Sequence, residues 1–329
     1  MTTGTILIGG PTASGKSNLA LDIAGALEDS GGATIINADS MQVYSDLRIV
    51  TDRPSPEDES RVPHALYGVL PGAEACSAGR WRRMAVEAIA KAHTQGRTAI
   101  VVGGTGLYLQ ALTEGLAEIP DIPEAIRRDA RAAMADKGPE QFHAELAATD
   151  PVAAQAIPVG DTQRSIRAWE VWQATGRSLI DWQNDPPMEG GLSEPVAKIL
   201  VIPNREDVYA RAKARVEGMI EHGVLDEIRT MDALKLAPDL PVMRAVGVPE
   251  FLAVVRGDQA LSDAIGQVAQ ASRRFAKRQY TWFRHQTPDW KVFSPGSASG
   301  GASQNAQQSE RFFGEVFPFI RQTLLTAQS

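Results

Sequence analysis

A glycine-rich stretch near the N-terminus, GPTASGKS (residues 10–17), constrains the fold more than any other feature of the sequence. An apolar run, TILIGG, precedes it, and a helical pattern over residues 17–27 follows it. The spacing G-x-x-x-x-G-K-[ST] between a strand and a helix is typical of loops that bind phosphate. The glycines let backbone N–H groups point inward, and the helix adds its positive N-terminal end. The sequence therefore predicts a phosphate-binding loop, without deciding whether the phosphates belong to a nucleotide.

The side chains of this loop have distinct predicted roles. Lys16 supplies a cation to the phosphate oxygens, and the Ser17 hydroxyl is the predicted ligand of Mg²⁺. The predicted phosphate-binding residues are Gly10, Pro11, Thr12, Ala13, Ser14, Gly15, Lys16 and Ser17.

Four apolar runs, TILIGG, ATIINAD, TAIVVGG and AKILVIP, are separated by helical patterns. Buried strands that alternate with helices predict an α/β fold, a P-loop NTPase-like parallel sheet with helices on both faces. The strand signal is absent between residues 121 and 195, where Pro and Gly interrupt helical segments, so a helical insertion subdomain is expected there. The predicted core is then residues 1–120 and 196–293. Residues 294–329 are predicted to form a flexible linker (294–309) and a terminal helix (312–325).

Composition limits the classes of function. Hydrophobic residues make up 43% of the 329 residues and charged residues 22%, as expected for a folded soluble chain. The net charge of −7 means that any nucleic-acid binding must use a local basic patch. The single cysteine, Cys76, excludes an internal disulfide framework and a multi-cysteine zinc site. No segment approaches the roughly 20 apolar residues of a membrane span, so a cytoplasmic protein without a membrane partner is expected.

A carboxylate, Asp39, ends the second apolar run, at the sheet edge where ligands bind in parallel α/β folds. Hydrolytic nucleotide enzymes normally place an acid after a further strand to hold Mg²⁺, but TAIVVGGTG ends without one. Asp39 is therefore either a Mg²⁺ ligand or turn cap, or a general base facing the substrate. The residues alone leave both roles open.

Several further motifs occur in one order, namely GPTASGKS, INADSMQVYSDLRIVTDRPS, VPHALYGV, IVVGGTGLYLQAL, RSIRAWEV, RVEGMIEHGVLDEIR, MRAVGVPEF and RRFAKRQYTWFRHQ. This ordered set, from Gly9 to about Gln286, resembles the bacterial tRNA dimethylallyltransferase (tRNA isopentenyltransferase) family. The resemblance implies transfer of the dimethylallyl group of dimethylallyl diphosphate to N6 of the adenosine just 3′ of the anticodon, tRNA position 37. Diphosphate is then the leaving group, held by the loop and Mg²⁺, and the tRNA anticodon stem-loop is the partner.

The resemblance also implies roles for individual residues. Asp39 becomes the general base, with Thr105 and Lys16 as the other catalytic residues, and Arg215 faces the donor. Residues implied to contact tRNA are Asp39, Ser40, Met41, Gln42, Thr105, Arg127, Gln163, Arg164, Ser165, Ile166, Arg167, Arg244, Arg273, Lys277 and Arg278. Arg211, His93 and His143 are expected at the surface. The chain departs from the family pattern at Val50, Arg53, Val248 and Pro249, which alter loops near the site.

The stretch 268–283 has helical spacing with two predicted faces. The mostly apolar face consists of Val268, Ser272, Phe275, Gln279 and Trp282. The opposite face consists of Arg273, Lys277, Tyr280 and Arg284, with no acid among them. A basic face with one aromatic side chain predicts phosphate contact and base stacking.

Three rival functions remain on sequence grounds. A P-loop small-molecule kinase would use ATP and place arginines of the insertion over it. An isopentenyltransferase could act on free adenine nucleotides, although the basic helix favours tRNA. A non-catalytic RNA-binding module would have no use for a carboxylate facing the RNA. A monomer is expected.

Overall fold

The computed structural model describes residues 4–187, 190–193, 195–295 and 302–326; within the last range, side chains are described for residues 311–324. The strands are β1 (Thr5–Gly9), β2 (Ala33–Asn37), β3 (His64–Ala65), β4 (Thr98–Gly103), β5 (Val196–Val201) and β6 (Lys291–Phe293). The helices are α1 (Lys16–Ala26), α2 (Pro56–Arg61), α3 (Ala78–Thr94), α4 (Gly106–Thr113), α5 (Glu124–Thr149), α6 (Pro151–Ala156), α7 (Thr162–Thr175), α8 (Leu179–Asn184), α9 (Arg205–Glu221), α10 (Val224–Ala233), α11 (Val248–Arg256), α12 (Leu261–Gln286) and α13 (Ala302–Thr326).

The six strands form one parallel sheet in the order β3-β2-β4-β1-β5-β6. β1, β2 and β4 are buried along their whole length, as expected for central strands of a parallel sheet. β1 pairs with β4 from Thr5 with Ala99 to Gly9 with Gly103. The loops that follow β1, β2 and β4 therefore leave the sheet at the same edge. This architecture confirms the predicted α/β fold.

Alternate residues of each strand face opposite layers of the core. In β1, Leu7 faces a layer that includes Trp81 of α3 and Phe251 of α11. Ile6 and Ile8 face the other layer, which includes Ile23 of α1. Both layers exclude solvent from the strands, so the sheet is a rigid base for the loops at its edge.

The chain divides into two compact units. One consists of residues 1–112 and 192–329, and the other, Thr113–Gly191, is inserted into it. The predicted insertion, residues 121–195, therefore has shifted boundaries. The reason lies in the backbone, because the Leu192 N–H donates to the Leu112 carbonyl (2.8 Å) where the chain leaves and re-enters the larger unit.

The inserted unit is helical, as predicted. It contains α5 to α8, and α5 is interrupted at Gly138, whose φ of 73° lies outside the helical region just before Pro139. Its apolar centre includes Leu146, Ala168 and Val171. Gly and Pro in the sequence thus marked the break correctly.

The C-terminal region differs from the prediction in part. Residues 296–301 of the predicted linker lie outside the described residues, and its remainder, from Ala302, belongs to α13. The predicted terminal helix, residues 312–325, falls within the range of α13. Val316 and Ile320 are buried against the layer that includes α1, so this helix completes one face of the core.

Among the described residues, no helix is both long and apolar enough to cross a membrane.

Candidate active site

The phosphate loop connects β1 to α1 through two residues in the left-handed region, Ala13 (φ 58°) and Gly15 (φ 89°). Gly10 is tightly enclosed, because an added Cβ would lie 2.6 Å from the Val201 carbonyl oxygen. The Ser14 hydroxyl is buried and has no hydrogen-bond partner within the described part of the chain. A buried polar atom without a partner is costly, so this loop has the features of a site shaped for a polar ligand.

Lys16 begins α1, and its ammonium group donates to the Pro11 carbonyl oxygen (3.2 Å), folding over the loop. Burial lowers the pKa of this ammonium, while the negative charge of Asp39 opposes the decrease and Arg215 adds to it. Lys16 is therefore a partly buried cation with three charged neighbours, Asp39, Asp52 and Arg215. Such a group gains from a bound anion.

A second cation reaches the loop from α9. Arg215 Nη1 donates to Thr12 Oγ1 (2.9 Å) and lies 3.5 Å from the exposed carboxylate of Asp52. The sequence predicted that Arg215 faces the donor side, and the structure places it directly against the phosphate loop. The sequence pattern assigns no role to Asp52, whose φ of 58° is unusual for a residue other than glycine.

Asp39 follows β2 and is partly exposed. Its carboxylate Oδ1 accepts a hydrogen bond from the Met41 N–H (2.9 Å), while Oδ2 accepts none from the residues described. The fully buried amide of Asn37 holds the backbone of Asp39 from both sides, accepting from its N–H (2.8 Å) and donating to its carbonyl (2.9 Å). The Asn37 amide also donates to the Leu66 carbonyl (3.1 Å). One carboxylate oxygen is thus oriented by the turn and the other is available to a substrate.

The loop after β4 meets the loop after β2 at Thr105. Its N–H donates to the Ala38 carbonyl (3.2 Å), and its Oγ1 accepts from the Ser40 N–H (2.9 Å). Gly103 is needed for this approach, since a Cβ there would lie 2.1 Å from the Ala38 carbonyl. Thr105 therefore contacts the backbone on both sides of Asp39 and closes the turn that carries it.

Gln42 holds the loop that carries Asp52. Its Nε2 donates to the carbonyls of Thr51 and Asp52, both at 2.9 Å. The same loop is held at its start by Glu227 of α10, whose carboxylate accepts from the N–H groups of Arg48, Ile49 and Val50 (2.6–2.9 Å). The observed bonds give Gln42 a structural role in this loop.

A cavity of about 130 Å³ opens beside the start of α1. Its polar lining includes Ser17, Asp52 and Tyr67, and its apolar lining includes Leu21 and Val102. Within the described part of the chain, no group of three or more His, Cys, Asp or Glu side chains is placed to hold a metal ion. A metal at Ser17 would therefore need ligands from a bound substrate, which is the usual arrangement for Mg²⁺ on phosphates.

Helix α12 carries the predicted basic face, with one correction. Arg273, Lys277 and Arg278 are exposed. Tyr280, however, is 7% exposed and its hydroxyl donates to the Pro203 carbonyl (2.7 Å), so the prediction that it stacks on a base is wrong. Trp282, placed on the apolar face by the sequence pattern, is partly exposed and lines a surface groove with Lys277 and Arg278. The helix turns 100° per residue, and the periodic pattern alone could not decide which of two neighbouring aromatics faces the core.

The inserted unit carries the other predicted RNA contacts. Gln163 and Arg164 are exposed at the start of α7, and Arg167 pairs with Glu170 (3.3 Å). Ser165 is 1% exposed on the inner face of α7, so a direct contact of its side chain with RNA does not fit the structure. Ile166 is partly buried. Arg127 is partly buried on α5 and donates to the Ile122 carbonyl (3.2 Å).

Two further arginines and two histidines have predicted positions. Arg244 is exposed at the end of a 3₁₀ turn, as its predicted contact requires. Arg211, expected at the surface, is partly buried one turn before Arg215. His93 and His143 are also partly buried, with hydrogen bonds to Gly4 and Ile157 carbonyls.

Comparison with known proteins gives a consistent result. The family model described as IPP transferase matches residues 42–286. The chain is 51% identical to a tRNA dimethylallyltransferase of Rhodospirillum centenum over 298 residues, which cover 88% of this chain and 91% of that protein. It is 47% identical to the protein of the same name from Paramagnetospirillum magneticum, covering 99% and 98% of the two chains. The chain belongs to the IPP transferase family.

Solved structures of IPP transferase relatives agree with this fold. The full-length tRNA isopentenylpyrophosphate transferase of Bacillus halodurans superposes with a TM-score of 0.66 at 29% identity, covering 99% of this chain and 98% of that one. A eukaryotic dimethylallyltransferase captured acting on tRNA gives a TM-score of 0.73 at 26% identity, covering 95% of this chain and 80% of that one. The resemblance seen in the sequence motifs is confirmed at the level of family and fold.

The structure of this IPP transferase family member also shows residues near the site whose roles the sequence did not predict. Asn37 and Gln279 each use a buried amide to hold backbone near the site, and Glu227 uses a carboxylate. A buried amide or acid inside an apolar pattern is the signal that could have found them, because such groups require partners. Which groups they hold depends on the tertiary fold.

Proposed function

We propose that this protein transfers the dimethylallyl group of dimethylallyl diphosphate to N6 of the adenosine at tRNA position 37, releasing diphosphate. The observation that supports this most strongly is that the phosphate loop and the turn with the Asp39 carboxylate lie together. The phosphate loop and the Asp39 turn lie at one sheet edge, and the charge of Asp39 influences the ammonium of Lys16. A leaving-group site beside a carboxylate suits alkylation with proton removal.

On the donor side, negative charge grows on the bridging oxygen as the carbon–oxygen bond breaks. Lys16 and Arg215 are the cations at the loop, and the N–H groups at the start of α1 add the positive end of the helix. Lys16 is partly buried, and its attraction to an anion is stronger there than in bulk water. These groups would stabilise departing diphosphate more than the intact donor.

The predicted protein ligand of Mg²⁺ is Ser17, so the ion would bind together with the diphosphate of the substrate. Ser17 is exposed at the start of α1 and would hold the ion through its hydroxyl, with the diphosphate oxygens as the other ligands. When bound, Mg²⁺ would add positive charge to the leaving group.

On the acceptor side, the lone pair of adenine N6 is delocalised into the ring, so its attack needs simultaneous removal of a proton. The free oxygen of the Asp39 carboxylate would accept that proton, and Thr105 would fix the turn at the reacting base. Because the target adenine is stacked in a loop, it must leave the stack to reach Asp39. Ser40 and Met41, next to Asp39, then lie where the base would enter.

The exposed cations of α12 and Arg244 would bind phosphates of the anticodon stem-loop. The exposed side chains of α7, in the inserted unit, would contact the tRNA separately. Trp282 offers a ring for stacking beside Lys277 and Arg278. We further propose that the protein acts as a monomer in the cytoplasm.

The experiment that tests the proposal supplies unmodified tRNA, dimethylallyl diphosphate and Mg²⁺ without ATP. Nucleoside mass spectrometry should detect N6-(dimethylallyl)adenosine, and diphosphate should appear in equal amount. A strict requirement for ATP would support the kinase alternative, and modification of free adenosine monophosphate at the rate of tRNA would support the free-nucleotide alternative.

A further inference from the structure

Helix α12 presents one buried amide next to its exposed cations. Gln279 is 6% exposed, directly after Lys277 and Arg278 in the sequence. Its Oε1 accepts a hydrogen bond from the Thr12 N–H (2.8 Å), and its Nε2 donates to the Gly104 carbonyl (2.9 Å). Because Thr12 offers a donor there and Gly104 an acceptor, only one orientation of the amide satisfies both.

These two contacts join different loops. Thr12 belongs to the phosphate loop after β1, and Gly104 belongs to the loop after β4. The fit at Gly104 is close, since a Cβ there would lie 2.3 Å from Gln279 Nε2. One turn further along α12, the Trp282 ring covers Gly106, where a Cβ would lie 2.1 Å from the ring. Helix α12 therefore holds the chain on both sides of Thr105.

Thr105 extends this connection to the third loop. Its N–H and Oγ1 bind the backbone of Ala38 and Ser40, the two neighbours of Asp39. A continuous path of hydrogen bonds and peptide bonds thus runs from Thr12 through Gln279 to the turn that carries Asp39.

We propose that Gln279 is a positioning residue that sets the separation between the phosphate loop and the Asp39 carboxylate, an inference that rests on the transfer reaction proposed above. In that reaction the attacking nitrogen, the allylic carbon and the leaving oxygen must align. A misplacement of about 1 Å can slow such a step by about 10²-fold. Gln279 touches neither substrate in this role, so its loss should slow the chemical step and leave binding nearly unchanged.

The first test replaces Gln279 by Met, which keeps the length and removes both hydrogen bonds. Single-turnover transfer to saturating tRNA should slow by about 10- to 100-fold, while the Kd for tRNA and the KM for the donor change by less than about threefold. Ser272→Ala is the matched control, because Ser272 is also buried on α12 and its hydroxyl has no partner within the described chain. The control should transfer at the wild-type rate.

Gln279→Glu gives a readout that general destabilisation would not produce. A neutral carboxyl group can accept from Thr12 and donate to Gly104, as the amide does, whereas a carboxylate would face the Gly104 carbonyl with no proton to donate. Burial raises the pKa of such a carboxyl group. The ratio of the wild-type rate to the Gln279→Glu rate should therefore decrease toward one as pH falls from about 8 to about 5.5. The ratio of the wild-type rate to the Gln279→Met rate should stay constant over the same range.

The outcomes separate the two proposals. A wild-type protein that modifies no tRNA would contradict the proposed function itself. An active wild type with Gln279→Met at the same rate, or a Gln279→Glu ratio that does not respond to pH, would contradict the positioning role alone. An increase in KM or Kd with an unchanged single-turnover rate would assign Gln279 to binding and would also overturn the inference.

Discussion

The amide of Asn37 offers a quantitative test of how the fold holds its proposed base. Asn37 ends β2 with its side chain fully buried, and it makes three hydrogen bonds to backbone: two to Asp39 and one to Leu66. The indole of Trp81 also donates to the Asn37 carbonyl (2.9 Å). Removing the side chain would therefore take away the three bonds that tie the Asp39 turn to the end of β2 and to Leu66, and would leave the bonds from Thr105.

Asn37→Ala should lower the free energy of unfolding by about 3 kcal/mol, taking about 1 kcal/mol for each of the three bonds. It should also slow transfer by about 10- to 100-fold, because the Asp39 carboxylate would lose its fixed position. The donor KM should change little, since Asn37 does not contact the phosphate loop. Stability and rate are thus predicted to fall together, without a loss of donor binding.

Asn37→Asp adds a dependence on pH. The new side chain can still accept from the Asp39 N–H, but its second oxygen faces the carbonyls of Asp39 and Leu66. Burial raises the pKa of this carboxyl group above its unfolded value of about 3.9. The folded state then binds more protons than the unfolded state, so the stability of the variant falls as pH rises between these two pKa values.

Urea unfolding at several pH values, paired with single-turnover rates, measures both effects. Asn184→Ala, a change at an exposed residue of α8, serves as the control and should stay within about 0.5 kcal/mol of wild type. If Asn37→Ala unfolds and reacts as the wild type does, the amide does not hold the turn and this reasoning is refuted.

Three further predictions concern the charges of the site. Because the pKa of Lys16 is lowered by burial, kcat/KM for the donor should decline with rising pH well before the usual lysine pKa of about 10.4; a flat profile up to that pH would contradict it. Asp52→Ala should lower the donor KM by about twofold to fivefold, because it removes a carboxylate 3.5 Å from Arg215; a higher KM would show that Asp52 helps to bind the donor. Lys277→Ala should weaken tRNA binding and make the plot of the log association constant against log salt concentration less steep by about 1. Lys91→Ala, a change at another exposed lysine, is the control. Equal slopes for the two variants would remove Lys277 from the RNA-binding surface.

The sequence was most informative where local chemistry leaves few alternatives. The loop at residues 10–17 requires glycine geometry, a strand before it and a helix after it, and the structure has all three. The parallel sheet followed from continuous apolar runs, because strands covered on both faces do not alternate. Asp39 at the end of β2 could be placed for the same reason, since parallel strands end at one sheet edge.

The sequence was less informative where two distant segments decide the outcome. Tyr280 and Trp282 are two residues apart on α12. Tyr280 is the buried one, and this follows from the loop at Pro203 that packs against it rather than from the sequence pattern. In the sequence, Gln279 is a polar residue within a mostly apolar helix face. Its hydrogen-bond partners, Gly104 and Thr12, are 175 and 267 positions away. The insertion boundaries shifted because one hydrogen bond, Leu192 to Leu112, closes its base.

The central claim is that a carboxylate removes a proton from adenine while the loop retains departing diphosphate. Its most direct test measures single-turnover formation of N6-(dimethylallyl)adenosine by wild type and Asp39→Ala, with tRNA affinity measured in parallel. The variant should be slower by about 10²- to 10⁴-fold, as for other general bases, with the tRNA Kd nearly unchanged. A variant that modifies tRNA at the wild-type rate would show that another group accepts the proton.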